Sequence, residues 1–222
     1  KKTTVPLVAA DLFCGAGGMS LAARDLGIRV VAAVDNYGHA AETYKENFIN
    51  HRRKANRPTF YEEDILQLSP ARILEDHQLK PGDLDILIGA PPCQGYSSHR
   101  INDQGVDDPR NELLLRYFEF IRIIQPKAFV VENVPGMLWP RHARYLNKFK
   151  ALTKKARYQL YGPEVLNARD YGVPQNRKRV FMVGFRHDLD VNFSWPSATH
   201  LAPESKLLKT NGHLEWEKAK VV

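Results

Sequence analysis

Cysteine is nearly absent from this chain. Its 222 residues include two, Cys14 and Cys93, which excludes a disulfide scaffold. No secretory signal pattern precedes them, so a reducing cytoplasm is the expected compartment. Long apolar runs are missing too: none reaches the roughly 18 residues a membrane span needs, so no membrane partner is expected. Internal repeats and low-complexity tracts are not found. An initiating Met is also lacking. The chain opens on Lys1 and closes on Lys218-Ala-Lys-Val-Val222 with no helix stop or polar tail, so both ends are expected to be cut. What is present is ordinary for a folded protein, with 43% apolar and 26% charged residues, neither disordered nor collagen-like. The length suits one large domain or two small ones. A net charge of +7 favours a polyanionic partner but says nothing about fold. The Arg52-Arg-Lys-Ala-Asn-Arg57 cluster reads most simply as a solvated loop.

Apolar runs alternate with amphipathic stretches along most of the chain. Strands are expected at Leu7–Phe13, Arg29–Asp35, around Tyr61 up to Glu63-Asp64, at Leu84–Gly89 and at Ala128–Glu132. Helices are expected at Met19–Leu26, stopped by Gly27, at His39–Phe48, Glu112–Ile124 and near Ala143–Ala156. Two β-rich runs follow, around Tyr158–Leu166 and Arg179–Phe185. Such alternation specifies an α/β fold with a doubly wound, mainly parallel sheet. From about Trp195 the alternation stops, and Pro196, Pro203 and Gly212 suggest a connector.

Four segments carry chemistry. In Asp11-Leu-Phe-Cys-Gly-Ala-Gly-Gly-Met19 a strand enters a glycine turn that opens a helix, a place where backbone can approach a ligand closely. Asp35, about 20 residues on at the next strand end, is placed to accept ribose hydroxyls. Together they point to a nucleoside cofactor. The dinucleotide spacing G-x-G-x-x-G is not matched, which favours an adenosine without pyrophosphate. Gly89-Ala-Pro-Pro-Cys-Gln-Gly-Tyr-Ser97 places Cys93 just past a strand's carboxyl end, where open α/β sheets bind substrates. Most lone cysteines are buried small hydrophobes, and Cys14 takes that reading. Glu132-Asn133 ends the fifth strand, and burial after Phe-Val-Val should raise the carboxyl's pKa. In Gln175-Asn-Arg-Lys-Arg179, period two puts Gln175, Arg177 and Arg179 on one face, able to grip a phosphate or a base edge. A solvated strand end is the competing reading.

Asp11-Leu-Phe-Cys-Gly-Ala-Gly-Gly18, Pro91-Pro-Cys-Gln94, Glu132-Asn-Val134 and Gln175-x-Arg-x-Arg179, in this order, resemble the cytosine-5 DNA methyltransferases. The likeness runs from about Val8 to Phe185. It implies a Rossmann-like sheet of the S-adenosylmethionine-dependent methyltransferase type. It also implies cofactor contacts from Asp11, Phe13, Gly15, Gly17, Asp35, Asn36, Asp64, Ile65, Pro92 and Leu113. Cys93, Glu132, Arg177 and Arg179 are the implied catalytic residues, and Gln94, Ser97, Asn133 and Gln175 the implied contacts to substrate. Two positions depart from the pattern: Asn36 stands where the family often has Trp, and Asn111 where it often has Gly. No metal is expected.

The resemblance implies methyl transfer from S-adenosylmethionine to carbon 5 of a cytosine flipped out of double-stranded DNA, through a covalent Cys93 adduct. A bacterial restriction-modification system is the expected setting. The loop from Gln94 to Asp108 would close as a lid. Residues 1–194 are expected to form the catalytic domain and 195–222 a connector. The few residues after Phe185 cannot make a target-recognition domain, so either a longer enzyme or a second polypeptide should supply it. Three other readings compete. An RNA cytosine methyltransferase is disfavoured by Gly95-Tyr-Ser97, a non-catalytic adapter by the complete set around Cys93 and Glu132, and a nicotinamide dehydrogenase by the missing third glycine.

Overall fold

The computed structural model describes residues 6–50, 52–53, 56–92, 112–205 and 212–218. Five strands alternate with helices in the first two thirds of the chain: β1 Val8–Leu12, α1 Gly18–Asp25, β2 Arg29–Val34, α2 Gly38–Lys45, β3 Thr59–Tyr61, α3 Pro70–Asp76, β4 Ile86–Gly89, α4 Leu113–Ile124 and β5 Ala128–Asn133. After α5, Ala143–Lys155, come β6, Tyr158–Asn167, and β7, Lys178–Arg186. The sheet order is β3-β2-β1-β4-β5-β7-β6. Strands β1 to β5 pair in parallel, whereas β7 runs antiparallel to both neighbours. The link from β6 to β7 contains only a short 3-10 turn, too little chain for a parallel crossover, so the pair closes as a hairpin.

Both faces of the sheet are covered, which explains the near-continuous apolar strands. Ala10, Leu12, Ala32 and Val34 pack into the main core with α3, α4 and α5, around Tyr117, Phe120, Phe129 and Phe149. Their neighbours Ala9 and Ala33 point the other way, into small clusters with Ala23 of α1 and Tyr44 of α2. Close packing fixes two glycines: side chains at Gly89 and Gly184 would overlap the rings of Tyr117 and Phe129. The Tyr117 hydroxyl donates to the carbonyls of Leu87, at 2.8 Å, and Val130, at 3.1 Å, tying β4 to β5 where both approach the site.

Three features go beyond the expected elements. Helix α3 has seven residues, too short for a clear helical period, although Ser69 followed by Pro70 is the usual way a helix begins. Helix α2 stops at Lys45 and continues as a π-helical turn, Glu46–Asn50, rather than running as one α-helix to Phe48. The stretch after Trp195 carries two short strands, β8 His200–Leu201 and β9 Leu214–Glu215, which pair in parallel. Among the described residues no helix is long and apolar enough to cross a membrane.

Candidate active site

The strand order reverses direction between β1 and β4, and the carboxyl ends of these strands face a crevice where open α/β sheets place ligands. The glycine turn after β1 sits there. Phe13, Gly15 and Gly17 have left-handed φ values of 58°, 53° and 95°. At Gly17 only glycine serves, since a Cβ would enter the Phe48 ring as well as face strain at that φ. Phe13 holds the same conformation with a full side chain, a strain of the kind stored at ligand sites. Asp35 is what holds the turn. One of its carboxylate oxygens accepts the Gly15 N–H at 2.8 Å, the other the Tyr37 N–H at 2.8 Å. The acid read as a ribose acceptor therefore already braces the turn, with a lone pair left on each oxygen for a ligand.

Two cavities meet at Phe13. The smaller, about 80 Å³, is lined by Phe13, Val34, Asp35, Asn36, Glu63, Asp64, Ile65, Pro92 and Leu113. Seven of these are the positions expected to hold a cofactor; Val34 and Glu63 are additional. Asp64 accepts the Leu66 N–H at 2.9 Å in a tight turn. Arg116 of α4 locks that loop by donating to the carbonyls of Ile65, at 2.9 Å, and Leu68, at 2.7 Å. No sequence pattern pointed to Arg116, because a helical arginine reads as a solvated charge. The larger cavity, about 430 Å³, is lined by Asp11, Phe13, Cys14, Gly18, Met19, Ala90, Glu132, Leu166, Ala168, Tyr171, Arg177, Arg179 and Phe181. Gly15 and Gly17 shape the turn and line neither cavity.

Glu132 is the chemical centre of the larger cavity. Its carboxylate lies 2.9 Å from Arg179 Nε and 3.8 Å from Arg177, with about a fifth of the side chain exposed. Burial raises its pKa, and the two arginines pull it back. Arg177 and Arg179 thus share a face as expected. Gln175 does not join them. The strand begins only at Lys178, and Gln175 is exposed in the preceding turn, where its own carbonyl accepts the Arg177 N–H at 3.0 Å. The period-two reading extended the strand three residues too far. Asn133 is buried and lines neither cavity; its amide donates to the Pro91 carbonyl at 3.3 Å, anchoring the approach to Cys93. Cys93, Gln94, Ser97 and the loop from Gln94 to Asp108 lie outside the described residues.

Asp11 lies under the turn, almost fully buried. The Ser20 hydroxyl donates to it at 2.6 Å, and Ser20 and the Tyr44 hydroxyl are 3.0 Å apart. Burial pushes its pKa up to about 7, with the nearby Asp35 adding to the rise. A carboxyl that takes its proton more tightly when folded stabilises the fold in acid and loses that contribution as pH rises. The window runs from its ordinary 3.8 to about 7. Between pH 5 and pH 8 the protein should therefore lose about 2–3 kcal/mol that Asp11→Asn does not lose. Urea midpoints of both proteins at the two pH values measure this; parallel losses would show that Asp11 is not the group responsible.

Among the described residues no cluster of His, Cys, Asp and Glu could hold a metal. A sequence profile described as C-5 cytosine-specific DNA methylase matches residues 7–220. The chain belongs to this family. Among curated relatives it is 38% identical over 176 residues to the type II methyltransferase M.AgeI of Thalassovita gelatinovora, covering 78% of this chain and 38% of that protein. It is 36% identical to M.MthTI of Methanothermobacter thermautotrophicus, covering 84% and 51%. The chain thus spans about half, or less, of these relatives' length. The type II methyltransferase M.AquIA of a Picosynechococcus strain is matched over 75% of its length, at 36% identity. Among solved structures, a protein assigned as a prophage-encoded DNA modification methyltransferase of E. coli superposes with a TM-score of 0.72 at 33% identity, over 85% of this chain and 49% of that one. Spodoptera frugiperda DNMT2 superposes with a TM-score of 0.62 at 26% identity, over 84% and 52%. The family and fold are those of S-adenosylmethionine-dependent methyltransferases, and the two cavities of this chain suit such a cofactor. The smaller offers the carboxylates of Asp35, Glu63 and Asp64 beside the apolar Ile65 and Leu113, the acceptors and apolar surface a nucleoside needs, and Phe13 also lines the cavity that holds Glu132.

Proposed function

We propose that this chain is the catalytic part of a DNA cytosine-5 methyltransferase of a restriction-modification system, acting on a cytosine flipped from double-stranded DNA. The observation that carries it is Glu132, a carboxyl with a raised pKa between two arginines, in a cavity that shares Phe13 with the Asp35–Asp64 pocket. S-adenosylmethionine, when bound, supplies the methyl group as an electrophile. Asp35, Asp64, Ile65 and Leu113 would hold its nucleoside, and Asp11, Phe13 and Gly18 line the way to the base.

Cytosine carbon 5 is too weak a nucleophile to accept a methyl group unaided. Addition of the Cys93 thiolate at carbon 6 turns the ring into an enamine, nucleophilic at carbon 5. Charge then builds on the ring. A proton donated by the Glu132 carboxyl to ring nitrogen 3 relieves it, which requires a carboxyl that keeps its proton near neutrality. Arg177 and Arg179 would hold the cytosine carbonyl and the flanking phosphate. Loss of the carbon 5 proton and elimination of the thiolate complete the turnover. A stacked base cannot reach Glu132, so flipping is required. Basic surface gives sequence-independent, salt-sensitive attraction to DNA, and reading a sequence needs side chains in the grooves. A recognition part, on the same polypeptide or a second one, would supply them.

S-adenosylhomocysteine should bind the chain in calorimetry, and NAD should not. Binding of NAD alone would overturn the cofactor reading, since a pyrophosphate calls for a glycine spacing this turn lacks.

A further inference from the structure

Residues 168–172 wall the larger cavity through Ala168 and Tyr171, yet this turn has little of its own to hold it. The Ala168 N–H donates to the Arg177 carbonyl at 3.0 Å and the Val173 N–H to the Ala168 carbonyl at 3.3 Å, so the turn and the backbone of Arg177 move together. Among the described residues, the other hydrogen bonds that reach the turn from outside it come from the stretch beyond Trp195. The Tyr171 hydroxyl donates to the Pro196 carbonyl at 3.0 Å. The Asp170 carbonyl accepts the Thr199 N–H at 2.9 Å, and the Asp170 carboxylate accepts the Trp216 indole N–H at 2.9 Å. The Arg169 guanidinium lies 3.1 Å from the centre of the Trp216 ring. Gly172, at φ 84°, leaves space that the His200 ring fills, with Cε1 only 2.8 Å from where a Cβ would stand. His200 is itself nearly buried. Strand pairing ties the two halves of the strap: Leu214 N–H donates to the Thr199 carbonyl at 2.9 Å and Trp216 N–H to the Leu201 carbonyl at 3.0 Å.

From these contacts we infer that His200 and Trp216 are positioning residues for the target base, acting through the 168–172 turn on Tyr171 and Arg177. The strap grips the turn by hydrogen bonds, a stacked cation and a filled glycine space, which is more than a passing connector needs. Its effect is confined to one cavity. Ala168, Tyr171, Arg177 and Arg179 all line the larger cavity, and none lines the smaller one. Loosening the strap should therefore impair handling of the base and leave the nucleoside pocket intact. This inference rests on the reading that the larger cavity receives the base.

The test is covalent capture of duplex DNA carrying 5-fluorocytosine by the full-length enzyme with S-adenosylmethionine, since fluorine at carbon 5 blocks the elimination step. A misplacement of about 1 Å at a reacting group costs on the order of 100-fold. A wall shifted by less should slow capture about tenfold in Trp216→Ala, with S-adenosylhomocysteine affinity unchanged. Trp216→Phe keeps a ring over Arg169 and loses only the N–H, so it should fall between the two; it also serves if the alanine variant does not fold. Gly172→Ala, which displaces His200, should show the same split. Equal losses of capture and cofactor affinity would reduce the strap to general stability and overturn the inference. Undiminished capture by Trp216→Ala or by Trp216→Phe would overturn it as well. If the unsubstituted enzyme is not captured at all, the base reading fails and the inference with it.

Discussion

Serine at position 93 should abolish covalent capture of 5-fluorocytosine DNA by the full-length enzyme, while serine at position 14 should leave capture standing. The two cysteines differ in their place along the chain. Cys14 sits inside the glycine turn, buried, and burial together with the nearby Asp11 and Asp35 pushes its thiol far above the ordinary range. A thiol kept neutral by its surroundings is no nucleophile. Cys93 follows Pro91-Pro92 at a strand's carboxyl end, and the buried Asn133 fastens the Pro91 carbonyl at 3.3 Å, two residues before it. Serine matches cysteine in size but gives up a thiolate for a hydroxyl that stays protonated at neutral pH. Turnover should fall by about 10⁴-fold or more, the scale expected when a covalent nucleophile is lost. Labelled methyl transfer and a denaturing gel of the captured complex measure both halves of the expectation. Capture of Cys93→Ser at the normal rate would remove Cys93 from the reaction.

The sheet was readable in the sequence because its strands are buried on both faces. Val30-Val-Ala-Ala-Val34 is a continuous apolar run, and Ala9-Ala10 and Leu12 leave only Asp11 to interrupt the first strand, a pattern that suits a sheet covered by helices on both faces. The same reasoning placed Glu132 correctly at a strand end. It stumbled where side chains act on backbone. Asp35 bracing Gly15, Arg116 clamping the loop of Asp64 and Asn133 holding Pro91 are contacts between residues 20, 51 and 42 positions apart, invisible to any local pattern. The extension of β7 back to Gln175 failed for a related reason. Alternation of polar residues looks the same in a strand and in an exposed turn, and only the pairing of Asn167 with Lys178 sets where the ladder ends. The stretch after Trp195 lacks periodicity because it packs by single contacts, such as the Trp216 indole on Asp170, rather than by a repeating face.

Glutamine at position 132 should cost about 100-fold or more in turnover with little change in S-adenosylhomocysteine affinity. The side chain is nearly isosteric, and its amide can still donate a hydrogen bond to ring nitrogen 3. What it cannot do is transfer a proton there, so the loss falls on the charge that builds during Cys93 addition rather than on ground-state binding. The pH profile separates these roles. Burial raises the pKa of Glu132, and the protonated form is the one that donates, so the wild-type rate should fall as pH climbs through that raised value. In Glu132→Gln this falling limb should vanish. Arg179 and Arg177 favour the carboxylate, at 2.9 and 3.8 Å. Removing either should therefore lower the rate while moving the falling limb to higher pH, whereas loss of a purely phosphate-binding arginine would leave the limb in place. Single-turnover methyl transfer measured across pH 5.5 to about 9 for the wild type, Glu132→Gln and the two arginine variants decides the matter. A falling limb that persists in Glu132→Gln would assign it to another group, and a near-normal rate would leave Glu132 as a partner that merely orders the two arginines.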